Sequence, residues 1–175
     1  MSLLAVTVLG HDRPGIVAAT TAALADLGGN LEDSTMTLLR GHFAMLLLVQ
    51  TVADVPAVEA ALAALAADGL LSVDVRAVPD AETAQPRVPG GAPYVLSVHG
   101  ADRPGIVGTV TGVVAAAGGN ITDLSTRLAG ELYVLLAEVQ LPASADVGVL
   151  TARLREAADE LGVDVSLRPL DTDEL

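Results

Sequence analysis

Apolar and polar positions follow two alternating patterns along this chain. The segments "LLAVTVL" at 3–9 and "YVLSVH" at 94–99 are short, apolar and rich in β-branched residues, which is typical of strands. Between such segments, apolar residues recur every three or four positions, as Ile106, Val110 and Val113 do. Helices are therefore predicted to alternate with strands.

Completing the pattern gives the fold. Strands are predicted at 31–39 and 42–51, joined by a short turn at Arg40 and Gly41, and a second helix follows them. Each half then closes with a half-buried strand, at 71–77 and at 162–168. The order strand, helix, strand, strand, helix, strand predicts an α+β chain of two ferredoxin-like (βαββαβ) modules, with antiparallel sheets and helices on one face.

A tandem repeat underlies this organisation. The segment "DRPGIV" occurs at 12–17 and again 90 residues later at 102–107. Asn30 recurs as Asn120 at the same spacing. Val73 and Val163 form a third pair of matching residues 90 positions apart. The domain boundaries expected are 1–78 and 94–170, with the Pro- and Gly-rich segment 79–93 as a linker and 171–175 as an acidic tail.

The repeated turn has the chemistry of an anion site. Asp12 and Asp102 are predicted to cap the helices that follow, with a proline in each first turn. Gly15 and Gly105 have no side chain, so a ligand or another backbone can approach closely, and free N–H groups at a helix start attract carboxylate or phosphate. A plain strand-to-helix turn without a ligand is the alternative.

The segments "DRPGIVAATTAALADLGGNLED" and "DRPGIVGTVTGVVAAAGGNITD" resemble the signature of ACT domains, small ferredoxin-like modules that sense amino acids. Two such modules without a catalytic domain most resemble the glycine cleavage system transcriptional repressor family. This resemblance implies a regulatory protein that binds a small amino acid, such as glycine or serine, between its modules and acts through a partner protein, in repression of glycine cleavage. A ligand-free scaffold of the same fold, or a small hydrolase, are the alternatives.

The resemblance also implies where the ligand is held, namely by the loop before the first helix of one module and the asparagine that opens the second strand of the other. The amino-acid binders of the family have asparagine in that loop, where this chain has aspartate. The aspartate carboxylate suits a ligand ammonium group. The implied ligand-binding residues are Asp12, Arg13, Gly15, Ile16, Asn30 and Leu31, and in the second copy Asp102, Arg103, Gly105, Ile106, Asn120 and Ile121.

The net charge and the residue composition limit the kinds of partner that the chain is expected to bind. The formal net charge is −13, and all nine basic residues are arginine, so direct nucleic-acid binding is not expected. No apolar run has the length of a membrane span, cysteine is absent and no leader segment is evident, so a soluble, cytoplasmic protein without membrane contact is expected.

Enzymatic and metal chemistry find little support in the sequence. His11, His42 and His99 have no second ligand-type residue at a productive spacing, so no metal and no cofactor are expected. No nucleophile motif is present, and no catalytic residue is assigned. Arg13 and Arg103 are predicted to be solvated side chains of the turn.

The third predicted strand indicates assembly. Phe43, Met45 and Leu47 are apolar on one face, while Leu46 and Leu48 are apolar on the other. One helical layer covers only one face of a sheet, so the other is expected to be buried against a neighbouring module of this chain or of another. The alternative is edge pairing, in which strands of two modules join side by side into one sheet. A homodimer is the predicted state.

Overall fold

The computed structural model describes residues 1–79 and 91–170 of a chain that divides into two compact units. Residues 80–90 of the predicted linker and all of the predicted tail at 171–175 lie outside the described residues. Ala92 and Pro93, which the linker prediction includes, belong to the first strand of the second unit.

The first unit is a four-stranded antiparallel sheet in the order β2-β3-β1-β4, packed against two helices. Its elements are β1 (Ser2–His11), α1 (Ile16–Asp26), β2 (Asn30–Leu39), β3 (His42–Thr51), α2 (Val55–Ala66) and β4 (Leu71–Ala77).

The second unit repeats this topology, with strand order β6-β7-β5-β8. Its elements are β5 (Ala92–Ala101), α3 (Ile106–Ala116), β6 (Asn120–Ala129), β7 (Leu132–Leu141), α4 (Val147–Leu161) and β8 (Val163–Pro169). The prediction of two βαββαβ modules with antiparallel sheets is confirmed.

Alternation along the central strands builds each core. Alternate residues in the middle of β1 are buried, and these side chains pack against the inner stripes of the helices. The second unit has the same arrangement. The buried set includes Leu4, Val6, Val8, Ile16, Leu24, Val58 and Leu62 in the first unit, and Leu96, Val98, Ile106, Val110, Val114, Leu150 and Leu154 in the second.

On the opposite face of each sheet, the third strand of the unit has exposed apolar side chains. Phe43 and Leu47 of β3 are 1% exposed, whereas Leu46 between them is 43% exposed. Leu136 in β7 is 48% exposed in the same way. The predicted two-sided apolar strand is therefore present, and its burial against a neighbour stays a prediction.

The edge strands β2 and β6 are largely exposed. Every residue of β2 is exposed, including Met36 and Leu38, which are opposite the core residues Met45 and Phe43 on β3. Leu128 has the equivalent position on β6 and is 48% exposed. Exposed apolar edges of this kind favour pairing with another strand.

The repeat spacing changes within the module, which corrects one sequence expectation. Leu71 is paired with Gly10, and Val163 is paired with Gly100, so Leu71 and Val163 are equivalent. The spacing is thus 92 residues at the last strand, and Val73 corresponds to Val165 rather than to Val163. The connection between β7 and α4 is longer than its counterpart between β3 and α2. This length difference increases the spacing between equivalent residues of the two units.

Candidate functional site

The two DRPG turns (residues 12–15 and 102–105) connect the first strand of each unit to its first helix. Gly15 begins α1 with a φ of 90°, and Gly105 begins α3 with a φ of 93°. A residue with a side chain is strained at these angles. Apart from the adjoining residues of the chain, no atom lies within 4 Å of the position that a Cβ on Gly15 would occupy. The glycine is therefore required by the backbone conformation, and the space beside it within the unit is open.

The predicted capping role of Asp12 and Asp102 is wrong. The N-cap residues are Gly15 and Gly105, and neither helix has a side-chain cap. The N–H of Asp12 instead donates a hydrogen bond to the Gly41 carbonyl at 3.0 Å, and the carboxylate is exposed. The turn places the aspartate three residues before the cap, which is too early in the chain to reach the helix start.

The second helices of both units do have aspartate caps. Asp54 accepts a hydrogen bond from Ala57 N–H, and Asp146 accepts one from Val149 N–H, both at 3.0 Å. The contrast distinguishes the first helices, whose N-termini have no such acceptor. Within one fold, two helix starts are closed by a carboxylate and two are left open.

The open helix starts present backbone donors. The first helical hydrogen bond of α1 runs from Ala19 N–H to Gly15 C=O at 2.9 Å, and the equivalent bond of α3 runs from Thr109 to Gly105. No side chain of the described residues accepts a hydrogen bond from the N–H groups that precede Ala19 in α1. The helix dipole makes such a position favourable for an anionic group.

Ile16 and Ile106 support the turn from below. Their side chains are 3% and 2% exposed and belong to the cores of their units. Of these two implied ligand-binding residues, only the backbone N–H can face a ligand. Because each isoleucine is buried, it holds the first turn of its helix at a fixed distance from the sheet.

The side chain of Arg13 is 39% exposed, but it is held by contacts within the unit and is not freely solvated as predicted. Its guanidinium forms an ion pair with the Asp68 carboxylate and donates to the Leu65 carbonyl at 3.0 Å. The N–H of Leu70 and the Arg13 guanidinium lower the pKa of Asp68, against an opposing effect of desolvation. Arg13 thus ties the first DRPG turn to the segment that follows α2. Sequence spacing could not reveal this contact, because Asp68 lies 55 residues away in the chain.

Arg103 has different surroundings. Its guanidinium carbon is 3.6 Å from the position that a Cβ would occupy on Gly162. Gly162 is the left-handed residue that follows the last turn of α4. The arginine is exposed, and within the described part of the second unit it forms no ion pair. The two copies of the motif therefore share a backbone and differ at their arginines.

Asn30 and Asn120 open the edge strands β2 and β6. Both are exposed, and they are paired with Gln50 and Gln140 on the neighbouring strands. Leu31 beside Asn30 is 41% exposed, and Ile121 beside Asn120 is partly buried. These side chains are accessible from outside their own units.

Within one unit, the turn and the asparagine are not brought together. The register places Asn30 at the end of the sheet where β1 starts, whereas the DRPG turn follows the end of β1. Helix α1 has 11 residues and spans about 16 Å between them. The pairing of one module's turn with the other module's asparagine stays a prediction.

Both units match the family model described as ACT domain, over residues 2–76 and 93–168. The chain belongs to the ACT-domain family. Its predicted resemblance is confirmed by the glycine cleavage system transcriptional repressor of Escherichia coli, which is 29% identical over 172 residues, or 94% of this chain and 88% of that protein.

Two solved structures share the fold over nearly the whole chain, and a shorter relative matches part of it. A crystal structure of an unknown protein from Galdieria sulphuraria is 32% identical, with a TM-score of 0.80 over 97% of this chain and 98% of that one. A putative glycine cleavage system transcriptional repressor shares the fold, with a TM-score of 0.70, 20% identity and 97% coverage of both chains. A UPF0237 protein of Methanopyrus kandleri is 43% identical over 72 residues, which are 41% of this chain and 80% of its own. The described helices of this ACT-domain protein include none long and apolar enough to cross a membrane.

Proposed function

We propose that this ACT-domain protein is a non-enzymatic regulator that binds a small amino acid, such as glycine or serine, and transmits that signal to a partner protein. The observation that carries the proposal is the pair of uncapped helix starts at Gly15 and Gly105, in a chain formed almost entirely of two ACT domains. Relatedness to the repressor of Escherichia coli over nearly the full length supports a role in repression of glycine cleavage.

The chemistry of the turn suits a zwitterion. The N–H groups at the start of α1 would receive the ligand carboxylate, since the dipole of the helix favours a negative charge there. The exposed Asp12 carboxylate would attract the ammonium group. In the second unit, the start of α3 and Asp102 offer the same groups. Asn30 and Asn120 would add amide hydrogen bonds from the opposite module.

Regulation would proceed through protein contact rather than through DNA. A formal charge of −13 without lysine leaves few cations to neutralise phosphates. Fluorescence anisotropy of the purified protein with labelled duplexes should therefore give no binding at physiological salt. Salt-sensitive binding to a duplex would contradict this part of the proposal.

A thermal-shift series of the full chain with each of the twenty amino acids tests ligand binding. A ligand at 100 times its dissociation constant adds about 2.7 kcal/mol to the free energy of unfolding. The combined Asn30→Ala and Asn120→Ala variant should lose the shift. A matched control, Thr35→Ala with Ser125→Ala, changes exposed residues of the same two strands and should keep it. If no amino acid shifts the melting temperature at millimolar concentration, the proposal fails and the ligand-free scaffold is favoured.

A further inference from the structure

Two histidines face each other at one end of the first sheet. His11 is the last residue of β1 and His42 is the first residue of β3, and the strand register pairs them directly. Their ring centroids are 5.3 Å apart, with the ring planes tilted by 38°. Both residues are exposed.

The separation of the rings fits a shared metal ion. A histidine nitrogen binds Zn²⁺ at about 2.0–2.1 Å, and tetrahedral coordination then places two imidazole centroids about 5 Å apart. The observed distance agrees with this requirement. Imidazole is a common ligand for zinc, copper and nickel.

We propose that His11 and His42 form a two-imidazole site for a divalent transition-metal ion such as Zn²⁺, Ni²⁺ or Cu²⁺. Residues 1–79 and 91–170 contain no cluster of three His, Cys, Asp or Glu side chains able to hold a metal. With two protein ligands, water would complete the coordination shell, and the ion would exchange with solution. Sequence spacing disfavoured such a site because the two residues lie far apart in the chain and meet only through the pairing of β1 with β3.

The site lies immediately before the first DRPG turn. The N–H of His11 donates to the Leu70 carbonyl at 3.0 Å, and the next N–H, of Asp12, donates to Gly41. An ion on the two imidazoles would cross-link the end of β1 to the β2–β3 turn beside these hydrogen bonds. Metal binding would therefore stabilise the strand end from which the turn departs.

The second unit lacks the site and supplies the test variants. Ala101 and Leu132 occupy the positions equivalent to His11 and His42, and they are paired in the same register. The substitutions His11→Ala and His42→Leu therefore introduce residues that this fold already accommodates at a matching strand pair. His99→Ala is the control. His99 is an exposed histidine of the second unit, and its Nε2 is 3.6 Å from Oδ2 of Asp164 in that same unit.

Isothermal titration calorimetry of the untagged full chain with ZnCl₂, repeated with NiCl₂, measures the site. We expect one ion per chain, with an affinity that falls on the order of tenfold or more in either histidine variant and is unchanged in His99→Ala. Circular dichroism checks that the variants are folded. The proposal is wrong if the unmodified chain binds neither ion, or if His11→Ala and His42→Leu bind as the unmodified chain does.

Histidine ring signals in the NMR spectrum of the unmodified protein give a readout that needs no variant to fold. Addition of Zn²⁺ should shift or broaden the signals of His11 and His42 and leave those of His99 in place. A response confined to His99, or no response, would overturn the assignment.

Discussion

The two DRPG turns have the same sequence and the same backbone, yet their arginines have different surroundings. Gly15 and Gly105 have φ angles of 90° and 93°. Arg13 is paired with Asp68, whereas Arg103 lies against Gly162. The motif thus determines how the chain enters the helix, and the segment after the second helix determines what the arginine contacts.

The lengths of the second helices, α2 and α4, explain why the two arginines have different surroundings. Helix α2 has 12 residues and is followed by Asp68 in the connection to β4, whereas α4 has 15 residues and ends at Gly162, directly before β8. At the 92-residue spacing, Asp68 corresponds to Glu160, which lies inside α4. A longer helix therefore moves the matching carboxylate from a loop onto a helix surface.

The largest effect is expected from the buried side chains that the turns share. Ile16→Ala and Ile106→Ala each remove a core side chain and should lower the free energy of unfolding by about 2–5 kcal/mol. Chemical denaturation of the full chain measures this. Val17→Ala and Val107→Ala, at positions 42% and 36% exposed, serve as controls and should cost much less. A large difference between the two isoleucine variants would break the equivalence of the turns.

A smaller effect is expected at the glycines. Gly15→Ala and Gly105→Ala force a side chain into the left-handed region, at a cost of about 1–2 kcal/mol in each unit. Open space beside Gly15 means that the cost comes from the backbone and not from a clash. Denaturation of both variants should give similar losses. Unchanged stability would show that the turn adopts another conformation.

The smallest effect is expected at the arginines, and there the two units should differ. Arg13→Ala should lower the melting temperature slightly, because the ion pair with Asp68 is partly exposed, while Arg103→Ala should leave it unchanged. Equal effects of the two substitutions would contradict the comparison.

Asp68→Asn should remove a pH-dependent part of the stability. The pKa of Asp68 is lower in the folded chain than in the unfolded chain, so its contribution is fully present above the ordinary carboxyl pKa of about 4. That contribution disappears as the pH falls through the lowered value. Melting temperatures of Asp68→Asn and the unmodified chain should therefore differ at neutral pH and converge in acid. Asp26→Asn, at an exposed position near the end of α1, is the control substitution.

The sequence was sufficient for the fold because strand and helix periods are local. The apolar run at 3–9 predicted β1, and the helical spacing of Ile106 and Val110 predicted the buried stripe of α3. The contacts of the turn were not local. Arg13 with Asp68, and His11 with His42, depend on strand pairing and on helix length, which single-residue spacing does not report. The predicted cap at Asp12 failed because the Pro and Gly residues extend the turn before the helix begins.

The central claim is that the uncapped starts of α1 and α3 receive the amino acid. The most direct test is an NMR titration of the ¹⁵N-labelled full chain with the twenty amino acids, first pooled and then one at a time, at millimolar concentration. The account predicts that the amide signals of Val17 and Val107 and of their neighbours in the two turns shift with one amino acid or a few. Amide signals of the turns that stay unchanged, or shifts confined to distant residues, would contradict it.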